Sequence, residues 1–261
     1  MPEVPSFSLR GKVIVQFGGT GLLGRALVQA LAAADATTIV ASRNRASLES
    51  LAEAQRTAGR SVAIEEVDIT AESSLQALRD RVLGAHGRVD GIVFNAVTRA
   101  MKGYDDSLAS WEASMATNAT GFFSTVRVFG DAMAARKSGS IVNISSMMGM
   151  VGMNPHLYTG ISGAPPPDYL FHKAGMINLT RYLASHYGAS GVRVNAVSPG
   201  GIYNPDKPQA PEFLSRYAPQ TMLGRMAHAE EIGGAVVFLL SDASTYITGA
   251  NLPVDGGYTA K

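Results

Sequence analysis

The chain has 261 residues, 46% hydrophobic and 16% charged, with 22 Lys plus Arg against 21 Asp plus Glu and a formal net charge of +1. The absence of Cys excludes a disulfide framework, a thiolate zinc site and a Cys nucleophile, and makes a reducing compartment, the cytoplasm, the expected location. Interspersed, nearly balanced charges give no electrostatic footprint for nucleic acid, and no run approaches the ~18 uninterrupted apolar residues of a membrane helix. The expected partner is therefore a small molecule, with neither polynucleotide nor membrane.

The length suits one α/β domain of about 250 residues, and no repeat, low-complexity tract or Gly/Ser linker divides it, so residues 1–261 are expected to form a single dinucleotide-binding and catalytic domain. Met1–Arg10 contains two prolines and no apolar run, and reads as neither a secretory leader nor an anchor. Without such a leader, the N-x-[ST] matches at Asn118, Asn143 and Asn178 carry little weight.

In chain order, β-branched runs at Lys12–Phe17, Thr37–Ala41, Ser61–Val67, Val89–Asn95, Ser140–Ser145, Val192–Val197 and Asn251–Val254 read as strands. Helical periodicity fills the intervals near 22–34, 45–57, 72–84, 107–135, 168–188 and 229–240. Alternation of this kind predicts a Rossmann-type, doubly wound parallel sheet of about seven strands in a three-layer αβα sandwich. Continuous apolar strands such as Gly91–Phe94 fit burial on both faces. Proline gathers at Pro155–Pro167 and Pro199–Pro219, each between a strand and the next helix, so active-site loops are expected near 150–168 and 200–221.

The first strand runs into Gly18-Gly19-Thr20-Gly21-Leu22-Leu23-Gly24 and then a helix. Gly19, Gly21 and Gly24 match G-x-G-x-x-G in its strand–turn–helix context, where missing side chains let backbone approach a pyrophosphate at a helix N-terminus. The expected cradle is Gly18, Gly19, Thr20, Gly21, Leu23 and Gly24. A nucleotide P-loop is excluded because Arg25 and Ala26 stand where Lys and Ser/Thr are required. At the end of the second strand an NAD-selective fold places a carboxylate, but here Ser42 occupies that position and Arg43 follows it. A guanidinium suits a 2′-phosphate, so NADP is favoured and NAD kept as the alternative.

Among the nine tyrosines, Tyr169 and Tyr203 have Lys four residues later, and Pro205 argues against a helix at Tyr203. Tyr169 and Lys173 open a long helical segment, where positions four apart share a face. A phenol of pKa ~10 is a poor acid–base group at neutral pH, and a neighbouring ammonium stabilises its phenolate. The five His form no H-x-x-x-H or H-E-x-x-H pattern, so no metal is expected. The absence of G-x-S-x-G removes an α/β-hydrolase reading.

With these motifs in order, the chain resembles the short-chain dehydrogenase/reductase family from about Leu9 to Gly257. Further matches are Asp68 in Val67–Thr70, Asn95-Ala96, Asn118 in Thr117–Gly121, Ser146 in Ile144–Met147, Arg193–Gly200, Ile247–Gly249 and Val254–Gly257. The resemblance implies Tyr169 as proton donor or acceptor at the reacting carbon's oxygen, and Ser146 as its hydrogen-bonding partner. It implies Lys173 on the nicotinamide ribose and Asn118 in the proton relay. Asp68 and Ile69 are expected at the adenine, Asn95 and Ala96 at the adenosine ribose, and Pro199, Gly200 and Ile202 at the carboxamide. It also implies a homotetramer built through the helices near 107–135 and 168–188 and the C-terminal strand.

Two departures stand out. Leu22 replaces the family's middle glycine, so the spacing Gly18/Gly21/Gly24 looks like the longer, epimerase-type branch. The interval from Ser146 to Tyr169 is roughly twice the usual one, placing an insertion in Pro155–Asp168. Tyr158 stands at the usual distance but has Ser162 at the fourth position, which excludes it as the acid–base residue. His156 and Tyr158 are candidates to bond a polar substrate, and Met147, Met148, Met150 and Met153 to line its mouth. Polar residues of the later loop (Asn204, Asp206, Lys207, Gln209, Arg216, Tyr217) point to a sugar or sugar acid. The expected activity is NAD(P)-dependent hydride transfer to or from a secondary alcohol or ketone. A dinucleotide sensor without chemistry, and an isomerase or dehydratase using transient hydride transfer, are the alternatives.

Overall fold

β-branched side chains that alternate between two apolar layers specify a sheet covered on both faces, and the computed structural model, which describes residues 6–261, has that architecture. The strands are β1 (Val13–Phe17), β2 (Thr37–Ser42), β3 (Ala63–Glu66), β4 (Gly91–Phe94), β5 (Gly139–Ile144), β6 (Val192–Pro199) and β7 (Asn251–Val254). All pair in parallel, in the order β3-β2-β1-β4-β5-β6-β7. Part of the reading of Met1–Arg10 lies outside the described residues. No helix among the described residues is long and apolar enough to cross a membrane.

Val13, Val15 and Phe17 bury themselves in one core layer and Ile14 in the other, as the two-residue strand period requires. The first layer is covered by α3 (Glu72–His86), α5 (Phe122–Ala135) and α6 (Pro167–Gly188). The second is covered by α1 (Leu22–Ala33) and α8 (Gly233–Leu240), with α2 (Arg45–Thr57) over the β2 side. Phe17 anchors the first layer, its ring 5.3 Å from that of Phe129 and 6.4 Å from that of Phe94. Chain order reverses between β1 and β4, so their carboxyl ends flank the crevice where open α/β sheets bind ligands.

The segment expected as one helix over 107–135 is interrupted. α4 (Leu108–Met115) and α5 are joined by a π-helical turn, Ala116–Gly121. Thr117, Asn118, Thr120 and Gly121 are weak helix formers, and Gly121 lies so close to Ile69 that a Cβ there would sit 3.1 Å from it. The loop expected near 200–221 carries a short helix, α7 (Pro211–Tyr217), and residues 229–232 form a 3₁₀ turn before α8. Arg193 and Asn195 are structural staples: they reach Ser244 Oγ and Ile247 O, each at 2.9 Å, and draw the C-terminal segment against β6.

Candidate active site

The glycine loop folds onto itself where side chains are missing. Gly18 takes φ +80°, and a Cβ on it would lie 2.6 Å from the backbone of Ala96. A Cβ on Gly24 would meet Gly18 O at 2.3 Å, and one on Gly19 would meet Val40 Cγ1 at 2.3 Å. Gly21 differs in having no neighbour within 4 Å of that position, which leaves its backbone open. Buried Gln16, which the sequence reading missed, donates to Gly24 O at 2.8 Å, and Arg25 holds Thr20 O at 2.9 Å. Asn95 Nδ2 donates to Gly18 O at 2.7 Å, so this side chain braces the loop. Leu23 packs its side chain on the second core layer. α1 begins with no side-chain cap and no acidic residue in its first turn, so its leading N–H groups are free donors. Open backbone and uncapped donors fit a dinucleotide pyrophosphate.

Beyond β2, Arg43 is exposed and Ser42 half-buried. Asp68 Oδ1 accepts from Thr70 N–H at 2.9 Å and from its hydroxyl at 2.7 Å. These bonds hold its carboxyl below the usual range, and the positive charge of Arg43 adds to the effect. Ile69 turns its side chain into the core. On the opposite side of the crevice, Gly200 follows Pro199 so tightly against Asp255 that a Cβ would lie 2.8 Å from Asp255 Cα. Ile202 is bridged to Ala227, and its carbonyl accepts from Gln209 Nε2 at 2.9 Å.

α6 carries Tyr169 and Lys173 on successive turns, with Lys173 Nζ 5.8 Å from the Tyr169 ring centroid. Lys173 Nζ donates to Ile144 O at 2.6 Å, and Ser145 Oγ donates to Lys173 O at 2.8 Å. Together they lock α6 to the end of β5 beside Ser146. Gly149 allows this approach, since a Cβ there would lie 2.7 Å from the Lys173 backbone. Burial pushes the Lys173 ammonium down to about 7, and the nearby Arg99 guanidinium, 5.9 Å from the Tyr169 ring, adds to it. Ser146 Oγ accepts from Met148 N–H at 3.1 Å, which leaves its hydroxyl proton free to donate.

Asn118 sits on the π turn, which packs against α6. Its Oδ1 accepts from Thr98 N–H and its Nδ2 donates to Thr98 O, both at 2.9 Å. The same Nδ2 donates to Ser114 Oγ at 2.9 Å, and Ser114 donates in turn to Asp168 Oδ2. Neither Ser114 nor Asp168 carries a sequence signal, because the link between them spans two helices. Among the described residues no three His, Cys, Asp or Glu are placed to hold a metal ion.

The rim is built from the two proline-rich loops. Leu157 of the insertion, Met147, Met148, Tyr217 and Met226 form one apolar cluster against which Tyr169 packs. Met150 and Met153 lie outside it and are exposed. The Tyr158 ring lies tilted against Phe213 of α7 at 5.4 Å, and Arg216 Nη1 donates to Thr159 O at 2.6 Å, so the insertion and α7 brace each other. Tyr217 is buried and its phenol oxygen accepts from Gly201 N–H at 2.6 Å. Three of the residues read as substrate-facing (Gln209, Arg216 and Tyr217) are therefore engaged in holding this wall together. His156 is exposed.

A glycine-cradled helix N-terminus at the sheet's switch point, with Tyr and Lys one turn apart beside it, defines the class of dinucleotide-binding α/β oxidoreductases. A family model described as enoyl-(acyl carrier protein) reductase matches residues 21–259. Cis-4-hydroxycyclohexanecarboxylate dehydrogenase of Sinomonas cyclohexanicum is 35% identical over 252 residues, 95% of this chain and 97% of the relative. D-threitol dehydrogenase of Mycolicibacterium smegmatis is 33% identical over 265 residues, 98% and 95% of the two chains. The crystal structure of a gluconate 5-dehydrogenase from Burkholderia cenocepacia in complex with NADP and tartrate superposes with a TM-score of 0.87 at 25% identity, covering 99% of each chain. The chain belongs to the short-chain dehydrogenase/reductase family, and is an NAD(P)-dependent oxidoreductase acting on CH–OH groups.

Proposed function

We propose that this enzyme is an NADP-preferring dehydrogenase of a polar secondary alcohol, with sugar acids and related hydroxy acids as the substrate class. The observation that carries the reading is the set Ser146, Tyr169 and Lys173 gathered at the end of β5, with the Arg99 guanidinium beside the Tyr169 ring. Its whole chain works as one unit, with residues 150–168 and 200–221 as the walls. Gly18 to Gly24 and the α1 N-terminus hold the pyrophosphate, Arg43 the 2′-phosphate, Asp68 the adenine, and Lys173 the nicotinamide ribose. The nicotinamide, when bound, supplies or takes up the hydride.

The protein's own work is proton handling and alignment. Tyr169 O–H protonates the substrate oxygen on reduction, and its phenolate takes that proton back on oxidation. Ser146, whose hydroxyl proton is uncommitted, donates to the same oxygen. Lys173 gives one proton to Ile144 O and keeps two for the ribose. Because its ammonium is pushed down to about 7, it exchanges a proton readily near neutrality and suits the relay that includes Asn118.

Arg99 supports the hydroxy-acid class. It is exposed, stands beside the Tyr169 ring, and has no carboxylate partner among the described residues. The names of the Sinomonas relative and the gluconate enzyme carry the same chemistry, an alcohol on a carboxylate-bearing frame. The Cys-free sequence supports a cytoplasmic location. Exposed apolar side chains on α4 and α6 support a homotetramer.

The test is cofactor absorbance with NADPH/NADP and NADH/NAD across gluconate, cis-4-hydroxycyclohexanecarboxylate, D-threitol and their ketones. Wild type is expected to turn over with NADP preferred, and Tyr169→Phe to lose on the order of 10²-fold or more. Arg99→Gln is expected to raise KM for the acids while leaving D-threitol unchanged. Equal effects on acids and polyols would remove the hydroxy-acid assignment. Product formed without stoichiometric change in cofactor would favour an isomerase or dehydratase instead.

A further inference from the structure

Of the four groups named for proton handling, Tyr169 and Lys173 share α6, Ser146 follows β5 and Asn118 lies on the π turn, so something must hold Asn118 in register with α6. From the hydrogen-bond chain Asp168–Ser114–Asn118 we infer that Ser114 and Asp168 are positioning residues that fix the Asn118 carboxamide relative to Tyr169, which rests on the catalytic reading above.

All three side chains are buried, with Ser114 at 0%, Asp168 at 1% and Asn118 at 2% exposure. The chain has only one self-consistent direction. A carboxylate only accepts, so the Ser114 hydroxyl proton is committed to Asp168 Oδ2. Ser114 Oγ then offers only lone pairs to Asn118, which must present its NH₂ there. With Nδ2 so assigned, Oδ1 faces Thr98 N–H, and a flip of the amide would break three bonds at once. Asp168 immediately precedes Tyr169 on α6, and that helix starts with no side-chain cap. The same carboxylate therefore ties the first turn of the Tyr169 helix to α4 and, through Ser114, to the π turn.

The composition of the chain argues that it serves chemistry and not stability. Asp168 Oδ1 is buried with no hydrogen-bond partner, and a buried carboxylate so poorly served is costly. Apolar residues of similar volume at such a site are often neutral or stabilising. If Ser114 and Asp168 existed only to hold the fold, Ala and Leu would do it at least as well.

The experiment compares Ser114→Ala, Asp168→Leu, their double variant and Asp168→Asn with Asn118→Ala. Each is assayed with the fastest of the three alcohols named above, and the apo proteins are examined by NMR of the Asn118 side-chain amide. Expected for Ser114→Ala and Asp168→Leu is a kcat loss of about 10- to 100-fold, with KM and NADPH affinity within about twofold of wild type. The double variant is expected to lose no more than the worse single one, since both cut the same chain. Asp168→Asn retains an acceptor for the Ser114 hydroxyl and should recover most of kcat. In the wild-type apo protein the Asn118 amide protons are expected to exchange slowly, and in Ser114→Ala fast.

Folded variants with wild-type kcat and slow Asn118 exchange would overturn the proposal. So would losses that multiply in the double variant, or an Asp168→Asn as slow as Asp168→Leu. If Asp168→Leu does not fold, Ser114→Ala carries the test, because it removes the donor without adding a side chain. Turnover surviving in Asn118→Ala sinks the catalytic reading and this proposal with it. Turnover lost there but intact in Ser114→Ala sinks this proposal alone.

Discussion

Arg43 and Arg45 follow the end of β2 two positions apart, and their surroundings divide their tasks. Arg45 Nε donates to Glu49 Oε1 at 2.8 Å along the same face of α2. Arg43 pairs with no carboxylate at salt-bridge distance among the described residues and stands near Asp68, the residue proposed to meet the adenine. A guanidinium–phosphate bond contributes roughly 1.5–3 kcal/mol. Arg43→Ala is therefore expected to weaken NADPH about 10- to 100-fold while NADH changes by less than about threefold, as read by fluorescence titration. Arg45→Ala should move either cofactor little, since Arg45 is engaged with Glu49 and an exposed pair of this spacing contributes little. Equal losses of NADPH and NADH in Arg43→Ala would count against Arg43 as the 2′-phosphate partner and against the NADP preference. At this scale, Tyr169, Lys173 and the absence of a carboxylate at Ser42 are legible in sequence because each is a matter of local spacing. Arg99, Ser114 and Asp168 are not, since their partners are supplied by other elements and no local pattern marks them.

α6 shows what an element adds to its residues. One face carries Tyr169 and Lys173, and the same helix buries His172 with neither ring nitrogen hydrogen-bonded. Burial, with the neighbouring Lys173 charge second, pushes His172 down to about 3 from its ordinary 6.5. The unfolded chain therefore takes up a proton below pH 6.5 that the folded chain refuses until about 3. Stability is lost as pH falls through that window, by as much as ~1.4 kcal/mol per pH unit from this group. His172→Leu is expected to flatten the acid limb of a denaturant-unfolding profile while leaving its neutral region within about 1.5 kcal/mol. An unchanged acid limb would show that His172 finds a proton partner in the folded state. Elements of this kind were largely legible: all seven strands and six helical segments stand within a few residues of their expected places. The failures have local causes. The π turn arises where weak helix formers meet the close approach of Gly121 to Ile69, a contact from another element. α7 was hidden among prolines, although Pro211 occupies its first turn, where its missing N–H costs nothing.

On the whole molecule, the outer surface of the first helix layer is the face that bears on the proposed tetramer. α5 and α6 turn Phe129, Met133, Met176 and Leu183 inward to the core. The outer positions are also apolar: Leu108 of α4 is 80% exposed, and Phe171 and Tyr182 of α6 are 58% and 63% exposed. Trp111 lies 5.3 Å from Phe171, so α4 and α6 present one joined patch. Water-facing Leu, Phe and Tyr on adjacent helices suit a subunit interface and are uncommon as a joined patch on a monomer. Tyr246, fully exposed just ahead of the edge strand β7, marks a second surface. Two distinct isologous patches generate a closed tetramer, whereas one gives only a dimer. Light scattering of the wild type is therefore expected to give a four-chain mass at micromolar concentration. Phe171→Asp, which places a charge at the centre of the helical patch, should reduce it to two chains held by the β7 side, and Tyr246→Asp should break the complementary contact. Because Phe171 is two residues from both Tyr169 and Lys173, the dimeric Phe171→Asp should also lose kcat, while the dimer made by Tyr246→Asp keeps it. A monomeric wild type would instead leave the α4–α6 patch without a subunit to cover it and remove the tetramer.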